Sequence, residues 1–208
     1  GPTVGGKTPL GRLLDRRGLR GRNCRHFDFG AELRRIDRSK RPPPVMTRRD
    51  LATIRRVLAT GALLKDAQFG IAIKTLTCFL SRRRVRPEDL LVLNGLPRHI
   101  GQAKRIDRRV SIAVVVFLAC SDRGVAARIA SNAGGDRIGR VDDDAAAVLS
   151  RLHAFRRRTL PLVDYYRQRG VPVRRVQVGT ATRPEDARRA LETIARRARS
   201  DRRHGEHR

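Results

Sequence analysis

The chain has 208 residues, enough for one domain with a buried core, and 39% of them are hydrophobic, which excludes a disordered chain. No run of about 18 apolar residues occurs, so no membrane-spanning helix is expected, and the three widely spaced cysteines, Cys24, Cys78 and Cys120, exclude a disulfide framework and a zinc-ligand spacing. The formal net charge is +28, but arginine is scattered along the whole chain and only 4% of residues are aromatic, so a solvated surface that lends some arginines to phosphates is preferred to a nucleic-acid platform.

The chain opens with Gly1-Pro2-Thr3-Val4-Gly5-Gly6-Lys7-Thr8, which fits G-x-x-x-x-G-K-[ST]. In such a phosphate loop, glycines let backbone N–H groups turn inward around phosphate oxygens. Lys7 would reach the β- and γ-phosphates, and the Thr8 hydroxyl would ligate Mg²⁺. The loop normally follows a buried strand. Residue 1 is already its first position, so the chain reads as cut at its N-terminus, with strand edges left unpaired, an empty core slot and poor folding as the expected consequence.

Beyond the loop, short apolar stretches alternate with longer helical ones, which predicts an α/β fold with a mainly parallel sheet. Strands are expected at Arg25–Phe29, Leu90–Asn94, Ser111–Ala119 and Val173–Val178. The third is nearly all apolar, as suits a strand covered on both faces. Helices are expected at Thr8–Arg16, Ala31–Ile36, Arg48–Thr60, Asp66–Arg83, Ile100–Asp107, Gly124–Ala130, Asp142–Arg169 and Pro184–Arg199. Pro9 fits the first turn of its helix, and Thr182 with Glu185 frames a capping box for the last one. Arg38–Pro44 and Asn132–Gly139 read as loops, and residues 200–208 as a disordered tail. His26 and His99 lack partners at any catalytic spacing and read as packing or surface groups; Cys120, Tyr165 and Tyr166 read as packing residues.

Several segments recur in a telling order: His26-Phe27-Asp28-Phe29-Gly30-Ala31-Glu32-Leu33-Arg34, then Asn94-Gly95-Leu96-Pro97-Arg98 followed by Gln102, then Arg128, Gly139-Arg140-Val141-Asp142-Asp143, Arg151 and Thr159-Leu160-Pro161. In this order, behind a phosphate loop, they resemble the adenylate kinase family of nucleoside monophosphate kinases from residue 1 to about residue 195. The resemblance implies a three-layer P-loop nucleoside monophosphate kinase fold over residues 1–199, with a parallel sheet whose first strand is missing. It also implies an acceptor-binding helical insert at 30–83 and a short lid at 131–140.

The resemblance implies the site as well. Gly1, Val4, Gly5, Gly6, Lys7 and Thr8 would hold ATP, with Arg128 stacked on its adenine. Gly30, Arg34, Gly95 and Arg98 would bind the acceptor phosphate, and Gln102 would read the acceptor's adenine edge. Arg140 and Arg151 would neutralise the phosphoryl group in flight, with Lys7 and Arg98 sharing in catalysis, and Asp142 and Asp143 would help hold the lid. Phosphoryl transfer asks for such a set, because it needs two polyanions brought in line and charge neutralised as it moves. The implied ion is Mg²⁺ on Thr8, with Asn94 acting through water. A lid without cysteine excludes zinc. The expected working unit is a cytoplasmic monomer taking ATP and a nucleoside monophosphate, AMP first, with neither membrane nor nucleic acid as partner.

Three departures stand out. Asn94 replaces the usual aspartate that orients water around Mg²⁺. Phe29 stands where a small hydroxyl residue often helps select AMP. Asn132 replaces a lid arginine, for which Arg137 would stand in. Two rival readings follow: a nucleotide-binding relative with weak or no catalysis, or a kinase for another nucleoside monophosphate such as UMP or CMP. A basic nucleic-acid-binding P-loop protein is the third.

Overall fold

The computed structural model of the chain describes residues 1–3, 5–130 and 145–193. Val4, the lid with Asn132, Arg137 and Arg140, the pair Asp142 and Asp143, and the tail therefore lie outside the described residues. Gly6, with φ 76°, ends the phosphate loop and starts α1 (Lys7–Arg17). Pro9 falls in the first turn of α1, where its missing N–H costs nothing. A left-handed Gly18 closes α1, its N–H bound to Leu14 O at 2.7 Å. The chain then enters β1 (Cys24–Asp28). Phe29, expected to end this strand, instead begins α2 (Phe29–Asp37), because the Asp28 side chain accepts from the Ala31 N–H and caps the helix at once.

Helices α2, α3 (Arg48–Thr60) and α4 (Phe69–Arg82) pack on one another around Leu33, Ile36, Ile54, Phe69 and Leu76. The Thr47–Asp50 capping box starts α3, and the Lys74–Asp50 ion pair at 2.7 Å ties it to α4. The expected single helix over Asp66–Arg83 opens with a 3-10 turn at Asp66–Gln68. Strand β2 (Leu90–Asn94) leads through Gly95 and a cis Leu96–Pro97 bond to α5 (Ile100–Ile106).

The third strand is shorter than its apolar run. Only Val115–Ala119 forms β3, and Val114 is 44% exposed. Helix α6 (Asp122–Ala130) follows. The continuous helix expected over Asp142–Arg169 is broken in three: α7 (Ala145–Ala154), a π turn at Phe155–Thr159, and α8 (Leu162–Gln168). Pro161 is the physical reason, since it lacks an N–H and clashes with the carbonyl four residues back; the Leu160 N–H reaches Phe155 O instead. Strand β4 (Val173–Gln177) and helix α9 (184–193) complete the described chain. The predicted Thr182–Glu185 capping box is not made. Thr182 Oγ accepts from the Gly179 N–H, and Asp186 accepts from the Arg183 N–H, so the cap lies one residue later.

The strands do not form one continuous sheet. β1 pairs with β2 and β3 with β4, both parallel, as two separate pairs. Both outer edges of each pair lack a strand partner among the described residues, and Leu90, Val92, Val115 and Val116 are only half-buried. Both pairs nevertheless share a cluster with α1 and α9, built on Leu10, Leu14, Leu118, Val176 and Leu191. A third cluster joins α5 to α8, where Tyr165 and Tyr166 both donate to Asp107, at 2.9 and 3.0 Å.

His26 of β1 packs so tightly on α1 that any side chain at Gly11 would overlap its ring. Its Nε2 is buried with no hydrogen-bond partner among the described residues. Burial pushes its pKa below the ordinary 6.5, against the upward pull of Asp28 and Asp15. The unfolded chain therefore takes up a proton near pH 6.5 that the folded chain refuses, and stability falls as pH drops through that window. The unfolding midpoint of wild type should fall between about pH 7.5 and 5.5. A His26→Gln variant should lose less over the same range, and equal losses would assign the acid sensitivity to other groups.

Candidate functional site

Three local structures converge at the carboxyl ends of the first strand pair. The first is the phosphate loop. The Lys7 ammonium curls back over it, donating to Gly1 O at 3.1 Å and to Pro2 O. The Gly5 N–H donates to Pro2 O at 3.2 Å. Gly1 in turn lies against Leu118 of β3, where an added Cβ would clash with the strand backbone. The loop is thus wedged beside the second strand pair and closed around its own carbonyls.

The second is the end of β1 and the start of α2. Parallel pairing sets Asp28 opposite Asn94. Asp28 Oδ2 accepts from the Thr8 hydroxyl at 2.7 Å and from Asn94 Nδ2 at 2.9 Å, and Asn94 Nδ2 lies 3.1 Å from Thr8 Oγ1. Asp28 Oδ1 accepts from the Ala31 N–H at 3.0 Å. One turn along α2, the Arg34 guanidinium folds back over Gly30, where an added Cβ would stand 3.4 Å from Nη1.

The third is the turn after β2. Gly95, at φ 80°, turns the chain, and an added Cβ would sit 3.5 Å from that of Phe29. Phe29 itself is buried in the cluster it shares with α2, α3 and α4. The Arg98 backbone is pinned on both sides: its N–H donates to Gln102 Oε1 at 2.8 Å, and its carbonyl accepts from the Thr159 hydroxyl at 2.8 Å. Desolvation, then the Arg151 cation, lowers the Arg98 pKa from its ordinary value. Arg98 and Arg151 are therefore close enough to feel one another.

Gln102 is fully buried, and its amide is engaged at both ends, by the Arg98 N–H and by Leu64 O at 3.4 Å. Arg128 is buried too, with Nη1 donating to Gly179 O at 2.6 Å and Nη2 close to Gly6, so it ties the loop after β4 to the phosphate loop. The structure thus brings Thr8 and Asn94 into direct contact, folds Lys7 onto Gly1, seats Arg34 on Gly30, joins Gln102 to Arg98 and sets Arg128 against Gly6. Sequence reasoning missed Asp28 and the positioning roles of Leu64 and Thr159. The signal for Asp28 was its place just before Gly30 at a strand end. Among the described residues, no group of three or more His, Cys, Asp or Glu side chains is arranged to hold a metal, and no helix is long and apolar enough to cross a membrane. The described cysteines are free thiols.

Parallel strand pairs flanked by helices, with a Gly-Lys-Thr loop at the start of a helix and basic side chains turned toward it, define the P-loop nucleoside monophosphate kinase fold. No protein-family model matches the chain. Individual relatives do. An adenylate kinase of Synechococcus sp. (strain WH7803) is 33% identical over 139 residues, covering 56% of this chain and 73% of the relative. One of Thermus thermophilus is 30% identical over 145 residues, covering 59% and 75%. Adenylate kinase isoenzyme 5 of Homo sapiens is 26% identical over 187 residues, 89% of this chain. The chain belongs to the adenylate kinase family. It spans 30% of the length of the human isoenzyme it matches.

Proposed function

We propose that the chain is a nucleoside monophosphate kinase that moves the γ-phosphoryl group of ATP onto AMP, yielding two ADP. The observation that carries this reading is the Lys7 ammonium folded over the phosphate loop, together with a desolvated Arg98 beside Arg151. Cations this close repel one another, and Arg98 is desolvated as well. A bound polyanion relieves both penalties. Arginine suits the task because its planar fork binds phosphate bidentately and stays charged.

In this reading an oxygen of the acceptor phosphate attacks the γ-phosphorus as the bond to the β–γ bridging oxygen breaks. Arg34 and Arg98 orient the acceptor phosphate. Lys7, Arg140 and Arg151 meet the charge that moves from the γ-phosphoryl oxygens to the leaving ADP. Lys7 exchanges its carbonyl contacts for phosphate oxygens, which its flexible stem allows. Thr8 would hold Mg²⁺, with Asn94 behind it. The donor set fits, because the Thr8 hydroxyl faces a carboxylate, that of Asp28. When bound, the ion would neutralise phosphate charge. The enzyme is proposed to act as a cytoplasmic monomer on free nucleotides, with the lid excluding water.

One observation favours a different acceptor: the Gln102 amide already binds two backbone groups, so a base edge must share or displace them. A coupled assay of ADP formation from ATP and Mg²⁺ with AMP, CMP, UMP or GMP separates the readings. Turnover is expected with AMP foremost. Turnover with a pyrimidine nucleotide alone would move the acceptor. Binding of ATP and AMP without turnover would make the chain a nucleotide-binding relative, and salt-sensitive nucleic-acid binding that ignores AMP would replace the kinase reading.

A further inference from the structure

The geometry points to Asp28 as the carboxylate that prepares Thr8 for the metal ion of the nucleotide, with the charge that Asn94 lacks supplied across the strand pair. This inference rests on the kinase reading above and adds to it a residue that the sequence motifs do not mark.

The parallel register of β1 on β2 sets Asp28 beside Asn94 at the carboxyl ends of both strands. A carboxylate can only accept, so the Asn94 amide turns its N–H group toward Asp28 Oδ2, at 2.9 Å. That orientation presents a donor toward Thr8 as well, at 3.1 Å. An amide in this pose holds a carboxylate in place and carries no charge for a cation. Asp28 carries it. Its Oδ2 takes the Thr8 hydroxyl proton in a hydrogen bond of 2.7 Å, which makes the hydroxyl oxygen a better donor to a metal and aims a lone pair away from the carboxylate. The hydroxyl has two lone pairs, and Asn94 uses one. Asp28 is thus a positioning residue that acts through Thr8, as partners behind a metal ligand commonly do.

A purely structural role competes with this one, because Asp28 Oδ1 also caps α2 through the Ala31 N–H. The two oxygens divide the work, so the roles are separable. Asp28→Asn keeps a cap and removes the charge. Asp28→Ser does the same with a different shape, and serves if the asparagine variant fails to fold. Asp28→Asn combined with Asn94→Asp moves the charge to the other strand.

The test is calorimetric titration of ATP with excess Mg²⁺ and of ATP with EDTA, read as the ratio of the two Kd values, with circular dichroism melts as a fold control. Asp28→Asn should reduce the gain from Mg²⁺ about tenfold while leaving the affinity for metal-free ATP unchanged or tighter. The double variant should restore the gain. A ratio unchanged in Asp28→Asn and Asp28→Ser would overturn the inference and leave Asp28 as a helix cap, as would equal losses in both titrations. If wild type binds metal-free ATP and Mg²⁺·ATP equally well, this inference alone falls. If it binds neither, the kinase reading falls and takes the inference with it.

Discussion

Replacing Lys7 with Met is expected to lower kcat/KM for ADP formation by about 10³-fold. Lys7 is the first residue of α1 and stands over the phosphate loop, within hydrogen-bond reach of Gly1 and Pro2. Methionine keeps much of the stem and removes the ammonium, so the loop loses its one lysine at the point where negative charge shifts during transfer. The loop glycines and the rest of α1 are untouched, so the melting temperature should move by no more than a few degrees. Initial rates at saturating acceptor, set beside a thermal melt, check both statements. A loss under tenfold would remove Lys7 from the chemistry.

Arg98→Met should show effects of opposite sign on activity and stability. Activity should fall by about 10²- to 10³-fold, because a phosphate-facing cation is lost from a site that moves charge. The melting temperature should rise, because a desolvated cation beside Arg151 is removed while the backbone contacts to Gln102 and Thr159 stay in place. A site that stores repulsion for the sake of a polyanion is expected to behave this way. The activity loss should appear chiefly in the KM for the acceptor and in kcat, with the affinity for ATP changed less. A fall in both activity and melting temperature would make Arg98 a structural residue instead.

Much of the fold was legible because its causes are local. The Gly5-Gly6-Lys7-Thr8 run marks a loop entering a helix, and the helix expected over Arg48–Thr60 is α3 residue for residue, bounded by a Thr47 cap and the left-handed Gly61. The apolar run Leu90–Asn94 is a strand as read. The break at Pro161 was also written locally, and the helical periodicity on either side of it hid the proline rule. The last helix shows the finer limit: Thr182 and Asp186 both offer oxygens, and their competition shifted the cap by one residue.

What the sequence determined by itself was therefore the alternation of strands and helices, the phosphate loop and the family motifs, all properties of residues within a few positions of one another. What only the tertiary structure decided was which distant groups meet. The register of β1 on β2 brings Asp28 to Asn94 across 66 positions of chain and sets both against Thr8. The pairing of strands into two separate sheets, the burial of Gln102 against Leu64, and the approach of Arg151 to Arg98 are decisions of the same kind. The physical reason is that hydrogen-bond registers and charge proximities depend on where helices seat their apolar faces, and a linear pattern does not encode that placement.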